Sequence, residues 1–147
     1  MATDEKVSFS AEERAAMKEY AAELKAEKKR KGTADKAAQD EADLVAKIAE
    51  LTGDDRALAE KVHALVREHA PELAPKTWYG MPAYNRDGRA IVFFQPASKF
   101  KARYSTLGFN DGAQLDDGAM WPTSYALTTI GPAEERKLIE LIRRAAG

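Results

Sequence analysis

Residues 76–95 read KTWYGMPAYNRDGRAIVFFQ, and this stretch decides the fold. Its last third holds an unbroken apolar run, AIVFF at 90–94, of β-branched and aromatic residues. Such a run suits a strand covered on both faces, and therefore a central place in a sheet. Asn85-Arg86-Asp87-Gly88, just before it, has the residues of a tight turn. On the far side of that turn, 76–84 reads as the partner strand, interrupted at Met81 and Pro82 in a way that suits a sheet edge or a bulge. The stretch is expected to form an antiparallel hairpin. Further on, Phe100, Ala102 and Tyr104 alternate with Lys101, Arg103 and Ser105. That alternation predicts another strand, with one buried face and one wet, basic face. A last strand is expected over 123–130, and Gly131-Pro132 then opens a helix whose core face is Leu138, Ile139, Leu141 and Ile142.

Upstream of the hairpin the period changes from two to that of a helix. Leu58, Val62, Leu65, Val66 and His69 recur at helical spacing behind Asp54 and Asp55, one or the other of which is expected to cap that helix, and Pro71 and Pro75 end it. Before it, 35–51 places Leu44, Ile48 and Leu51 on one face, with Gly53 following. The first helix opens with Ser10 and Glu13 as a capping box and closes on Lys28, Lys29, Arg30 and Lys31 before Gly32. Its apolar stripe is thin: Met17, Tyr20, Ala21 and Leu24. Charge placement and propensity favour this helix more than burial does. Helices first and strands afterwards predict an α+β fold, an antiparallel sheet packed against helices with an N-terminal helical extension and a C-terminal helix. The expected division is an extension over 1–42 and an α+β domain over 43–147.

Composition narrows the function classes. The chain has 147 residues, 44% hydrophobic and 32% charged, with 23 basic and 24 acidic side chains. The charge is unevenly spread: 1–74 hold 13 basic and 17 acidic side chains, and 75–147 hold 10 and 7. Neither half has the concentrated basic excess that phosphate neutralisation requires, so a nucleic-acid partner is not expected. The absence of cysteine excludes disulfides, thiolate catalysis and Cys-ligated metal centres. No apolar run reaches the roughly 20 residues of a membrane span, and the first ten residues lack the pattern of a secretory signal. The expectation is a cytoplasmic protein without a membrane partner.

Catalytic constellations are hard to find. His63 and His69 lie six apart, about 120° from each other around a helix, and cannot converge on one ion. Asp54-Asp55 and Glu134-Glu135 fall at helix starts, where carboxylates stabilise the positive end. Asp116-Asp117-Gly118 lacks the alternating ligands and the final bidentate Glu of a calcium loop. The cluster Lys25, Lys28, Lys29, Arg30 and Lys31 sits at a helix end that favours cations anyway. Glycine-rich phosphate loops and a nucleophile elbow are absent. No catalytic residue and no metal ligand is therefore assigned, and no enzyme activity is expected. What remains is the aromatic block Trp78-Tyr79-Gly80-Met81-Pro82-Ala83-Tyr84. Alternate strand residues face opposite ways, so Trp78 and Tyr79 are expected on different faces. One of those faces, with Trp78, Tyr79, Met81 and Tyr84 near Lys99 and Arg103, is the expected ligand-binding surface for a small molecule or peptide.

The stretch from Asp43 onward, with APELAPKTWYGMPAY, RDGRAIVFF and KFKARYSTLGF, resembles the YdhG-like family over roughly 43–147. The resemblance implies a small intracellular α+β domain, largely of unknown function. It also implies an alternative activity, because some members are described as frataxin-like iron chaperones. Iron without thiolates takes oxygen ligands or imidazole. The carboxylates available for that are Asp35, Asp40, Glu41, Asp43 and Glu50, then Asp54, Asp55, Glu60 and Glu68, with basic residues interspersed. No cofactor is assigned, iron being the alternative. A second alternative is an interaction module in which Met17, Tyr20 and Leu24 of the first helix meet another chain, a homodimer included.

Overall fold

The computed structural model describes residues 8–29 and 33–147. Four helices, α1 (Ala11–Lys29), α2 (Thr33–Glu50), α3 (Gly53–His69) and α4 (Pro132–Ala146), accompany a five-stranded sheet. The strands are β1 (Ala74–Trp78), β2 (Met81–Arg86), β3 (Arg89–Gln95), β4 (Ser105–Phe109) and β5 (Ser124–Leu127). They pair in sequence order, every pair antiparallel, so the sheet is a simple meander with β3 at its centre. This is the α+β arrangement expected from the sequence, and the apolar run lies in the central strand.

Register defines the two faces. Pro75, Tyr84, Val92 and Phe109 stand opposite one another across four strands, as do Phe94, Leu107 and Tyr125 across three. This face meets the helices. Tyr84, Val92, Phe94 and Leu107 are sealed there with Leu44 of α2, Val62 and Val66 of α3 and Ile142 of α4. The other face carries Lys76, Ala83, Phe93, Gly108 and Ser124 in one row, and Trp78 opposite Met81. The Phe93 ring lies so close over Gly108 that a Cβ there would overlap it. A glycine is required for that close approach.

Three local expectations are corrected. Residues 76–84 are not one interrupted strand but two strands, joined by Tyr79 and Gly80 between the paired residues Trp78 and Met81. Both connecting residues have positive φ, 53° and 76°. Positive φ at both central positions is the type I′ pattern, whose twist matches that of a hairpin. Asp87-Gly88 repeats the pattern with φ of 51° and 77°. The second turn shows itself through Asp-Gly; the first is disguised because Tyr stands where Asn or Asp is usual. Pro82 is accordingly in the second strand of the sheet, and the register shift falls later, between Tyr84 and Asn85.

Phe100, Ala102 and Tyr104 form no strand either. Ala97–Phe100 is a 3₁₀ turn ended by left-handed Lys101, and β4 begins only at Ser105. Asp55 explains the detour. Its carboxylate accepts from the Ser98 amide at 3.1 Å and the Ser105 hydroxyl at 3.2 Å, while that hydroxyl accepts from the Ala97 amide at 3.0 Å. Burial pushes the Asp55 carboxyl up, but bonds from Ser98, Ser105 and Ala97 outweigh it and hold the group below its ordinary value. Asp55 thus ties α3 to this loop, whereas the N-cap position of α3 belongs to Thr52, which makes no side-chain cap.

The starts of α1 and α4 follow expectation, while α2 begins two residues before the expected Asp35. Ser10 Oγ accepts from the Glu13 amide at 3.0 Å and Glu13 accepts from the Ser10 amide at 3.1 Å. In α4, Glu134 accepts from the Gly131 amide at 2.9 Å. Lys28 and Lys29 lie in the last turn of α1, as expected, and the rest of that basic end with the Gly32 stop lies outside the described residues. Residues 42 and 43, where the sequence reading divides extension from domain, both lie within α2. Among the described residues, no helix is long and apolar enough to cross a membrane.

Candidate functional site

The sheet face away from α3 and α4 is walled on one side by α1. This helix buries only Ala16, and side-chain polar groups make its attachments. The Glu23 carboxylate accepts from the Tyr79 amide at 3.0 Å and the Gly80 amide at 2.8 Å. Two successive left-handed residues turn their N–H groups toward one point, which makes an anion-binding concavity, and Glu23 fills it. Glu19 pairs with Lys99 at 2.8 Å and with Lys47 at 3.0 Å. Burial alone would raise the Glu19 carboxyl; the two lysines reverse this and hold it below its usual value. Glu12 pairs with Lys101 at 2.9 Å. The Tyr20 ring stacks on Tyr79, centroids 4.2 Å apart and planes 10° from parallel.

Between α1 and the hairpins opens a cleft of about 440 Å³, within the size range of small-molecule sites. Tyr20, Leu24 and Trp78 line it at the α1 end; Lys76 and Asn85 line it along the sheet; Asp87, Arg89 and Asp111 line it at the second turn. Trp78 meets Tyr79 edge-on at 5.1 Å and Phe93 at 5.3 Å, so its ring is held in place. Lys36 and Glu27 pair at 3.2 Å, and Lys76 lies 3.9 Å from both Glu27 and Asp40. Those cations are spent on carboxylates of the protein itself.

Asn85 is different. It is 8% exposed, and its Oδ1 is buried without a hydrogen-bond partner. Register puts it on the same face as Ala83 and Lys76, and it lines the cleft. An unpaired buried carbonyl costs roughly 1–3 kcal/mol, so such groups are rare in folded proteins.

The six expected site residues do not converge. Trp78 lines the cleft, and Tyr79 sits at the first turn under Tyr20. Met81 is 5% exposed opposite Trp78. Tyr84 is wholly buried on the helix-covered face, 3.0 Å from Nδ1 of His63. Burial pushes its hydroxyl pKa up. Lys99 is held by Glu19, and Arg103 lies outside in the loop, over the Tyr104 ring at 5.2 Å. Strand alternation does not separate Trp78 from Tyr79 as expected: Tyr79 stands in the turn, and its ring meets that of Trp78. Sequence reasoning passed over Asn85, which it assigned to the turn. The available signal was a lone amide just outside the Asp-Gly dipeptide, in a position that has to pair as strand.

Of the other candidates, His69 lies 2.8 Å from Arg143 through Nδ1, and His63 bridges Tyr84 and, at 3.7 Å, Glu41. Among the described residues no three His, Asp or Glu side chains gather in a way that could hold a metal ion. Comparison with protein-family models, curated proteins and solved structures finds no match to this chain.

Proposed function

We propose that this chain is a non-enzymatic binding domain whose ligand is a small molecule seated in the cleft between α1 and the two hairpins. The unpartnered Oδ1 of Asn85 carries this reading. A sealed acceptor in a strand is costly, and a ligand N–H or O–H at the base of the cleft would remove that cost. Trp78 and Tyr20 supply the apolar contact that such sites combine with a few fixed polar groups. The reading keeps the aromatic face expected from the sequence, with Trp78 retained and Asn85 taking the place of Tyr84. Iron delivery, which the resemblance to the YdhG-like family implies, has no comparable anchor. Of the carboxylates it would draw on, Asp55 is tied to Ser98 and Ser105, and Glu41 accepts from Arg67 at 3.0 Å.

The test is a fragment screen on the isotope-labelled full chain, read by amide shifts. Hits are expected to move Lys76, Trp78, Asn85 and Ala90 together. Asn85→Leu is expected to weaken those hits about tenfold, the worth of one hydrogen bond. The same change is expected to raise the melting temperature, since it removes an unsatisfied buried group. Fragments that shift only residues elsewhere, or bind the Leu variant equally well, would overturn the assignment.

A further inference from the structure

Resting on the reading of the cleft as a ligand site, we infer that its ligand is a protonated amine carrying a planar or apolar arm. The groups the protein leaves unused in the cleft decide this. Glu23 is spent on the Tyr79 and Gly80 amides, and Lys36 and Lys76 face Glu27 and Asp40. After those pairings, the sealed acceptor is Asn85 Oδ1. Beside it at the second turn, Asp87 and Asp111 line the cleft and make no ion pair or side-chain hydrogen bond among the described residues. Arg89, exposed at the start of β3, is the opposing cation there. The lining at this end thus holds one cationic side chain against two unpaired carboxylates and the Asn85 amide, so it calls for hydrogen-bond donors and one positive charge.

An ammonium group has three donors and no acceptor, which suits that set. A ligand carboxylate or phosphate would bring only acceptors to an amide oxygen that needs a donor, and would meet the fields of Asp87 and Asp111. The opposite end of the cleft is Tyr20, Leu24 and Trp78, with Leu24 43% exposed. A planar or aliphatic arm covers these groups, and a cation near the indole face gains from the ring quadrupole. The two ends together describe an amphiphilic amine.

Two probes with one indole arm and opposite charge test this: tryptamine and indole-3-acetate, with uncharged 3-methylindole as reference. Titrations of the full chain are read by amide shifts of Lys76, Asn85, Ala90 and Asp111. Tryptamine is expected to bind at least tenfold more tightly than indole-3-acetate, with 3-methylindole between them. Asp87→Asn with Asp111→Asn, both at exposed positions, is expected to shrink that ratio several-fold and leave 3-methylindole unchanged. Equal affinities, or a preference for indole-3-acetate, would overturn the inference while leaving the cleft as a ligand site. If none of the three moves these amides but other fragments do, the amine assignment fails alone. If no small molecule moves them, both readings fail.

Discussion

α1 and α3 are similar in length, 19 and 17 residues, and are held to the molecule in opposite ways. α3 buries Leu58, Ala59, Val62, Leu65 and Val66, whereas α1 buries Ala16 alone and leaves Met17 and Leu24 exposed. The one is fixed by apolar area removed from water, worth roughly 25 cal/mol per Å². The other is fixed by carboxylates: Glu12 on Lys101, Glu19 on Lys99 and Lys47, Glu23 on two backbone amides. Exposed ion pairs are screened by salt and contribute little each, while hydrogen bonds to a half-buried carboxylate hold more. A helix attached this way is expected to open before the rest unfolds, and α1 is the wall of the cleft. The contrast gives the molecule a rigid half and a releasable half.

The largest effect expected from breaking that contrast is in the rigid half. Phe94 is fully buried in the central strand, on the face that meets the helices. Phe94→Ala should cost about 3–5 kcal/mol through lost burial and the cavity left behind. Chemical denaturation should show the midpoint falling with the slope nearly unchanged. A loss below 1 kcal/mol would mean that the core is looser than its packing implies.

Sharpening the contrast requires loosening α1 alone. Glu23→Ala removes the acceptor for the Tyr79 and Gly80 amides, and should speed hydrogen exchange of α1 amides at least tenfold while α3 amides keep their protection. Raising salt should add to this by screening Glu12–Lys101 and the two Glu19 pairs. Equal acceleration in α1 and α3 would show that the two helices open together, and would remove the distinction between the halves.

How much of this was legible in the sequence follows from the same division. The stripe of α3, the central place of AIVFF and the α+β order depend on periodicity, which a single chain displays directly. The thinness of the α1 stripe was equally visible and foretold its shallow burial. The Tyr79-Gly80 turn was not, because its left-handed tyrosine is stabilised from far along the chain, by Glu23 and Tyr20. The loop at 97–104 was misread for a related reason. Its alternation mimics a strand, but Asp55, more than forty residues upstream, takes the Ser98 amide. The cleft could not be foreseen, since it joins Tyr20 and Leu24 to residues beyond 73 through contacts that no local pattern encodes.

The smallest expected effect is a pH dependence confined to the rigid half, at the join of α2, α3 and β2. Nδ1 of His63 stands 3.0 Å from the Tyr84 hydroxyl, and its ring lies near Glu41 and Arg67. Burial lowers the His63 pKa, the Glu41 charge opposes this, and Arg67 adds to the lowering. A depressed value in the folded state means that the unfolded chain binds the proton more readily. The stabilisation is therefore complete above the ordinary histidine value near 6.5 and is lost as pH falls through it, levelling off below the folded value. The His63 side chain is 19% exposed and sits beside charges of both signs, so the loss between about pH 7 and pH 5 should be small. Thermal unfolding of the wild-type chain and His63→Gln across that window measures it. The variant should show a flatter profile, with Gln still able to bond the Tyr84 hydroxyl. A wild-type profile that rises toward acid would mean that the imidazolium is favoured in the folded state, with Glu41 outweighing burial; α2 would then hold α3 by charge, as the body holds α1.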